Sequence, residues 1–179
     1  KLGLTLYQID MEDEIEYVGF WPTGYNQNVG ETRHQGLEAY FSYLWPKYFK
    51  VYGNFTYHKA TYENGQYDGK EIPLVPQYLA NAGLEIYLPY NIMLKPEVHY
   101  VSKAYLGGDS DNNTEKLDSY TLVDVYLQYK PTFGRVNMRV FAGVENLTDE
   151  KYSSFGMDQE WWGGSNAYYP MPGIAFKGG

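Results

Sequence analysis

The richest candidate chemistry in this chain lies in one long loop near its end. Between 148 and 172, Tyr152, Phe155, Trp161, Trp162, Tyr168 and Tyr169 stand among glycine and serine. Flat aromatic faces on such a background can stack on an aromatic, sugar-like or macrocyclic ligand. The competing reading packs these rings on neighbouring loops or at a membrane interface. Arg33 and His34 offer a cation and an imidazole to an anionic ligand, unless Glu31 or Glu38 balances them. Asp109, Asp111, Asn113 and Glu115 alternate acceptors as a calcium loop does. Thr114 and Tyr120 stand where an EF-hand needs its glycine and closing acid, so a solvated loop is favoured and no metal is expected.

Catalytic patterns are missing. The chain has no G-x-S-x-G, no H-E-x-x-H and no Gly-rich phosphate loop. His34, His58 and His99 fall on different segments, and no serine has a recognisable nucleophile context. Spacing alone leaves open a Ser/His/acid site assembled in space, but the expectation is no enzyme, no catalytic residue and no cofactor. A net charge of −8 argues against nucleic acid, since there is no basic stripe to neutralise phosphates. The absence of cysteine removes disulfides and thiolate metal sites.

The elements that must position these residues follow period two. Leu37, Ala39, Phe41, Tyr43 and Trp45 share one parity, with Glu38, Tyr40 and Ser42 on the other. Phe49, Val51, Gly53, Phe55 and Tyr57 repeat the pattern, as do Tyr78 to Leu88, Ile92 to Tyr100, Thr121 to Tyr129 and Val136 to Val144. Each reads as a strand with one apolar and one polar face. Leu2, Leu4 and Leu6 begin a weaker one, continuing through Ile15 and Tyr17. No segment has a helical period, and no run of about 18 apolar residues could form a membrane helix. Strands are expected near 1–18, 28–45, 48–62, 77–89, 91–105, 119–130, 134–147 and 173–179.

Connections alternate in length. Pro46, Pro89 and Pro131 mark tight turns, where a fixed φ and a missing N–H are tolerated. The others are long, near 20–28, 63–76, 107–118 and 148–172. Short turns at one end and long loops at the other describe an outer-membrane barrel. Tyr43, Trp45, Tyr57, Tyr78, Tyr100 and Tyr129 near the ends of the apolar faces would suit its aromatic girdles. A mean hydropathy of −0.53 does not oppose this, because every second strand residue of such a barrel faces a polar lumen. Composition also permits a soluble sandwich.

Four segments carry a resemblance. Gly36-Leu37-Glu38 after Asn28-Val29-Gly30-Glu31-Thr32-Arg33 enters a strand, and Ile72-Pro73-Leu74-Val75-Pro76 precedes Tyr78. Tyr120-Thr121-Leu122-Val123-Asp124 opens a third. Glu145-Asn146-Leu147-Thr148-Asp149-Glu150-Lys151-Tyr152 is followed by Tyr168-Tyr169-Pro170-Met171-Pro172-Gly173-Ile174. In this order they resemble the C-terminal part of the β-barrel of TonB-dependent outer-membrane receptors.

The resemblance implies an all-β fold, an antiparallel transmembrane β-barrel meander of about eight strands, from a plugged barrel of about 22 strands. Residues 1–179 would form its C-terminal part, without the plug domain or TonB box, and the last strand would run on past Gly179. It implies the bacterial outer membrane, contact with membrane lipid and lipopolysaccharide, and TonB engaged only through the plug. The ligand implied is a scarce nutrient, most often a ferric siderophore, otherwise haem, cobalamin or glycan. Arg33, His34, Tyr152, Trp161, Trp162, Tyr168 and Tyr169 are the ligand-binding candidates. Asn146 to Asp149 is expected to shape a strand end rather than bind. The alternative is a stand-alone small β-barrel or a soluble β-sandwich acting as a binding or adhesion module.

Overall fold

The computed structural model describes residues 1–18, 23–28, 30–159 and 163–179, with backbone only at 16–18. Its strands are β1 (Leu2–Met11), β2 (Ile15–Val18), β3 (Tyr25–Asn28), β4 (Thr32–Trp45), β5 (Phe49–Tyr62), β6 (Tyr78–Leu88) and β7 (Ile92–Val101). After them come β8 (Tyr120–Tyr129), β9 (Thr132–Phe133), β10 (Val136–Asn137), β11 (Val140–Glu145), β12 (Ser153–Met157), β13 (Ala167–Pro170) and β14 (Ala175–Gly178). Eight of these form one antiparallel sheet in the order β1-β4-β5-β6-β7-β8-β11-β14, each beside its predecessor. The expected eight-strand meander is what forms.

The differences lie at strand ends. The first strand stops at Met11 rather than 18, because Asp13 takes φ 58°, and Asn28 Nδ2 donates to the Asp13 carboxylate at 2.6 Å. Ile15 to Val18 instead pairs with Tyr25 to Asn28 as a separate hairpin. β4 therefore starts at Thr32, not 28. The segment expected from 134 joins the main sheet only at Val140, because β9 and β10 close their own hairpin around Gly134 at φ 61°. β7 ends at Val101, four residues short of the expected 105. The aromatic loop contains a hairpin of its own, β12–β13.

Register gathers the apolar parity onto one face. Leu2, Phe41, Gly53, Ala82, Val98 and Val123 lie side by side across six strands. Nearer the tight turns, Trp45, Phe49, Ile86, Leu94, Leu127 and Ala142 form another such row. Toward the loops this face changes character at one level: Leu6, Leu37 and Tyr57 are neighbours, and one step on Gln8, Gln35 and Lys59 are. From Phe49 to Tyr57 the apolar stretch is about 27 Å along the strand, the scale of the ~25 Å band of a membrane barrel. Aromatic pairs mark both borders, Tyr57–Tyr78 at 5.3 Å between centroids and Trp45–Phe49 at 6.0 Å.

Among the described residues nothing covers this face. Leu2, Leu6 and Phe176 are 82%, 73% and 76% exposed, and among the described residues no second layer packs on the sheet. A soluble β-sandwich is therefore not the fold. The buried apolar side chains, Ala60, Tyr62, Ala104, Leu106 and Leu117, cluster under the long loops instead.

The polar face is built on pairs of glycine and tyrosine. Gly3, Gly36, Gly83 and Gly143 lie directly across from Tyr40, Tyr7, Tyr52 and Tyr126, and each ring occupies the space a side chain at its glycine would need. Such aromatic cover compensates for glycine in a strand. It also aims hydroxyls, with Tyr52 donating to Glu97 at 2.6 Å and Tyr126 to Glu145 at 2.8 Å. Gly83→Ala should push Tyr52 off its seat and cost roughly 1–3 kcal/mol by overpacking. Equilibrium urea unfolding of the variant in detergent micelles checks this; an unchanged midpoint would show that Tyr52 gives way freely.

Candidate functional site

Three long loops meet above the sheet and are tied to one another by backbone. Gly107 N–H donates to Gly156 O and Asp158 N–H to Gly107 O, both at 2.9 Å, joining loop 102–119 to the β12–β13 hairpin. Leu74 N–H donates to Tyr105 O at 2.9 Å, which brings in loop 63–77. Asn112 and Glu71 exchange two bonds, Glu71 N–H to Asn112 Oδ1 at 2.7 Å and Asn112 Nδ2 to Glu71 O at 2.9 Å. Leu106, fully buried, fills the junction.

The acceptor run at 109–115 serves this scaffold. Asp109 is buried, and its carboxylate accepts from Asn113 N–H at 2.8 Å, Thr114 N–H at 3.1 Å and the Thr114 hydroxyl at 2.9 Å. Those bonds satisfy turn amides that would otherwise be unpaired. No cluster suited to a metal occurs among the described residues.

Beside this junction lies a cleft of about 710 Å³. Tyr152 and Tyr168 line it, together with Lys103, Lys116 and Lys151 and the carboxylates of Glu115 and Asp118, so that cations exceed anions by one. Tyr152 packs against Tyr120 with centroids 4.4 Å apart. Its phenol is pushed above the ordinary value, first by burial and then by the Asp124 and Glu145 carboxylates. Lys103 is held by Asp118 at 2.8 Å, which raises its pKa. Lys116 lies 4.0 Å from the centre of the Tyr105 ring and 3.4 Å from Glu71. Lys151 contacts Asp149 at 2.8 Å, and that bond, with one from Ile174 N–H, holds the Asp149 carboxyl below its usual range. Cations beside phenol rings can attract an anion and stack its flat parts.

The sequence candidates divide accordingly. Tyr152 and Tyr168 meet in the cleft, whereas Tyr169, next along β13, packs edge-on to Phe155 at 5.1 Å. Trp161 and Trp162 lie outside the described residues. Arg33 and His34, adjacent on a strand, take opposite faces. Arg33 is bound by Asp10 and Glu63, each at 2.6 Å, rather than by Glu31 or Glu38. His34 Nδ1 meets His58 Nε2 at 3.2 Å on the polar face, while its Nε2 stands 3.7 Å from Glu14. Sequence reasoning missed the lysines, although Lys103 and Lys116 flank one loop and the Ala104–Leu117 bridge draws its two ends together.

Asn146 to Asp149 works as the expected strand terminator. Asn146, at φ 49°, accepts from Glu150 N–H at 2.8 Å and donates to Glu150 O at 3.0 Å and Pro172 O at 3.4 Å. Asp149 accepts from Ile174 N–H at 3.1 Å. The two residues thus pin both ends of the aromatic loop, where β11 leaves the sheet and β14 returns.

Residues 1–147 match the family model described as TonB dependent receptor-like, beta-barrel. Among solved structures, the ferric yersiniabactin uptake receptor FyuA from Yersinia pestis superposes with TM-score 0.78 at 21% identity, over 99% of this chain and 26% of that one. The copper transporter OprC gives 0.75 at 21%, over 98% and 27%. The ferric-catecholate import receptor Fiu from K12 E. coli, in its closed form, gives 0.72 at 23%, over 98% and 24%. The chain spans about a quarter of the length of each, and at these identities the likeness is one of fold.

Proposed function

The chain belongs to the TonB-dependent receptor-like β-barrel family, and on that premise we propose that it supplies part of the wall and outer loops of a bacterial outer-membrane receptor importing a scarce nutrient. The apolar face meets lipid, the tight turns face the periplasm, and the long loops face the medium. The nutrient is a ferric siderophore, taken up with energy delivered by TonB through a plug domain. The cleft carries this reading, because Lys103, Lys116 and Lys151 beside Tyr152 and Tyr168 suit an anionic chelate with flat aromatic arms. The role is binding and passage, without catalysis.

The test uses the protein as its gene encodes it, in detergent, titrated with a trianionic ferric tris-catecholate and with an uncharged ferric tris-hydroxamate. Lys116→Ala with Lys151→Ala is expected to weaken the anionic chelate about tenfold, and added salt should weaken it further. Binding of the uncharged chelate should not change. Equal affinity of the double variant and the parent for the anionic chelate would remove the cleft from the site.

A further inference from the structure

The tight-turn end of the sheet carries a charge opposite to that of the chain as a whole. Its connections, 46–48, 89–91 and 130–139, contain Lys47, Lys130, Arg135 and Arg139 and no acid, in a chain whose net charge is −8. Three of these cations belong to the β9–β10 hairpin and its flanks. Lys130, Arg135 and Arg139 are exposed, and among the described residues none of them makes an ion pair. On the polar face, by contrast, Lys50, Lys95 and Lys177 are each bound to a carboxylate.

The hairpin begins where the apolar face ends. Leu88, Ile92, Tyr129 and Val140 form the last row across β6, β7, β8 and β11, and Lys130 and Arg139 are the next residues outward. Lys130 N–H donates to Asn91 O at 3.1 Å and Met138 N–H to Pro131 O at 3.0 Å, which ties the base of the hairpin to the neighbouring turn and to itself. Phe133 and Val136 pair directly and so share one side of the hairpin. They are 64% and 59% exposed. On the other side the Thr132 hydroxyl donates to Asn137 Oδ1 at 2.9 Å. The space beside Gly134, at the tip, is open.

Depth and charge identify the occupant. One residue past the border lies about 3.4 Å outside the hydrocarbon, and the headgroup layer is roughly 5–8 Å thick on each side of a bilayer. Lys130 and Arg139 therefore stand among phosphates, with Arg135 further out at the tip. Unpaired cations at that depth gain more from an anionic lipid than from a zwitterionic one. Phe133, Val136 and Met138, all exposed, continue the apolar surface of Tyr129 and Val140 into the interface, where apolar side chains and long cationic ones are at home together. That continuity favours a lipid over an acidic protein, which would have to displace the headgroups around the hairpin. On the reading that the apolar face meets lipid and the tight turns face the periplasm, we propose that Lys130, Arg135 and Arg139 on and beside the β9–β10 hairpin form a site for the headgroup of an anionic phospholipid in the periplasmic leaflet. The apolar face takes any hydrocarbon chain, whereas this site selects by headgroup charge.

The experiment uses the protein as its gene encodes it, in a nonionic detergent, titrated with phosphatidylglycerol or with phosphatidylcholine of the same acyl chains. Native mass spectrometry counts the lipids bound. The first phosphatidylglycerol is expected to bind about tenfold more tightly than the first phosphatidylcholine. Arg135→Gln with Arg139→Gln should bring the two lipids to within about twofold of each other, without moving the urea midpoint, since both side chains are exposed. Lys70→Gln, in a long loop at the opposite end, should keep the full preference. No preference in the parent, or a full preference in the double variant, would overturn the proposal. Hexaglutamate displacing phosphatidylglycerol at equal concentration would assign the hairpin to an acidic protein instead. Folding into phosphatidylcholine vesicles separates the two readings: a parent that folds there but shows no headgroup preference overturns this site alone, and one that does not fold overturns the membrane reading with it.

Discussion

Leu84→Arg is expected to block assembly of this chain in a bilayer. Leu84 lies inside the apolar face, one row in from Ile86 toward its centre, beside Val51, with Tyr43 next across β5. A guanidinium there must be placed in hydrocarbon, at a cost of roughly 2–4 kcal/mol at mid-depth in a transmembrane barrel. Leu88→Arg provides the depth control. It sits at the tight-turn border, paired with Ile92, where the same change costs about 0–1 kcal/mol. Folding into short-chain phosphatidylcholine vesicles, followed by the mobility shift of unheated samples on a gel, reads both. The expected order is parent and Leu88→Arg folding well and Leu84→Arg poorly. Equal yields for all three would mean that this face does not meet lipid.

Asn146→Ala should be the most damaging change in the loop region. The side chain is 4% exposed, and its amide serves Glu150 twice and Pro172 once. Removing it leaves the N–H and C=O of half-buried Glu150 without their partner, at about 1–3 kcal/mol for an unsatisfied group. Alanine at a left-handed φ adds about 1 kcal/mol. A total on the order of 2–4 kcal/mol is expected, measured by urea unfolding. Asn146→Asp should recover only part of the loss, since its carboxylate still accepts from Glu150 N–H but repels the two carbonyl oxygens. Protease cleavage within 148–172 should rise alongside, because the same side chain anchors both ends of that loop. Stability and cleavage equal to the parent would show that the knot is ornamental to the fold.

Part of the site is legible in the residues alone. Period two assigns Arg33 and His34 to opposite faces, so alternation by itself argues against their acting on one ligand together. The four-residue spacing from Asn146 to Glu150 similarly marks a local turn. Other features depend on distant partners. Asp109 reads as part of a solvated loop whose alternating acceptors only resemble a calcium site, yet it is buried and its carboxylate turns inward to hold the Asn113 and Thr114 amides. Lys103, Lys116 and Lys151 are scattered cations along the chain, and only the pairing of strands brings their loops to one edge of a cleft.

By itself the sequence determined the eight-strand meander, the side of each strand that is apolar and the end of the sheet that bears long loops. Those properties are local: side-chain parity within a strand and the backbone preferences of proline, glycine and asparagine at turns. Tertiary structure decided the register, and with it everything that requires two strands at once. Only pairing sets Tyr52 over Gly83 or aligns Leu6, Leu37 and Tyr57 at one level. Slipping one strand by a single residue would turn its apolar side chains to the polar face. That constraint selects the register, and no strand contains it alone.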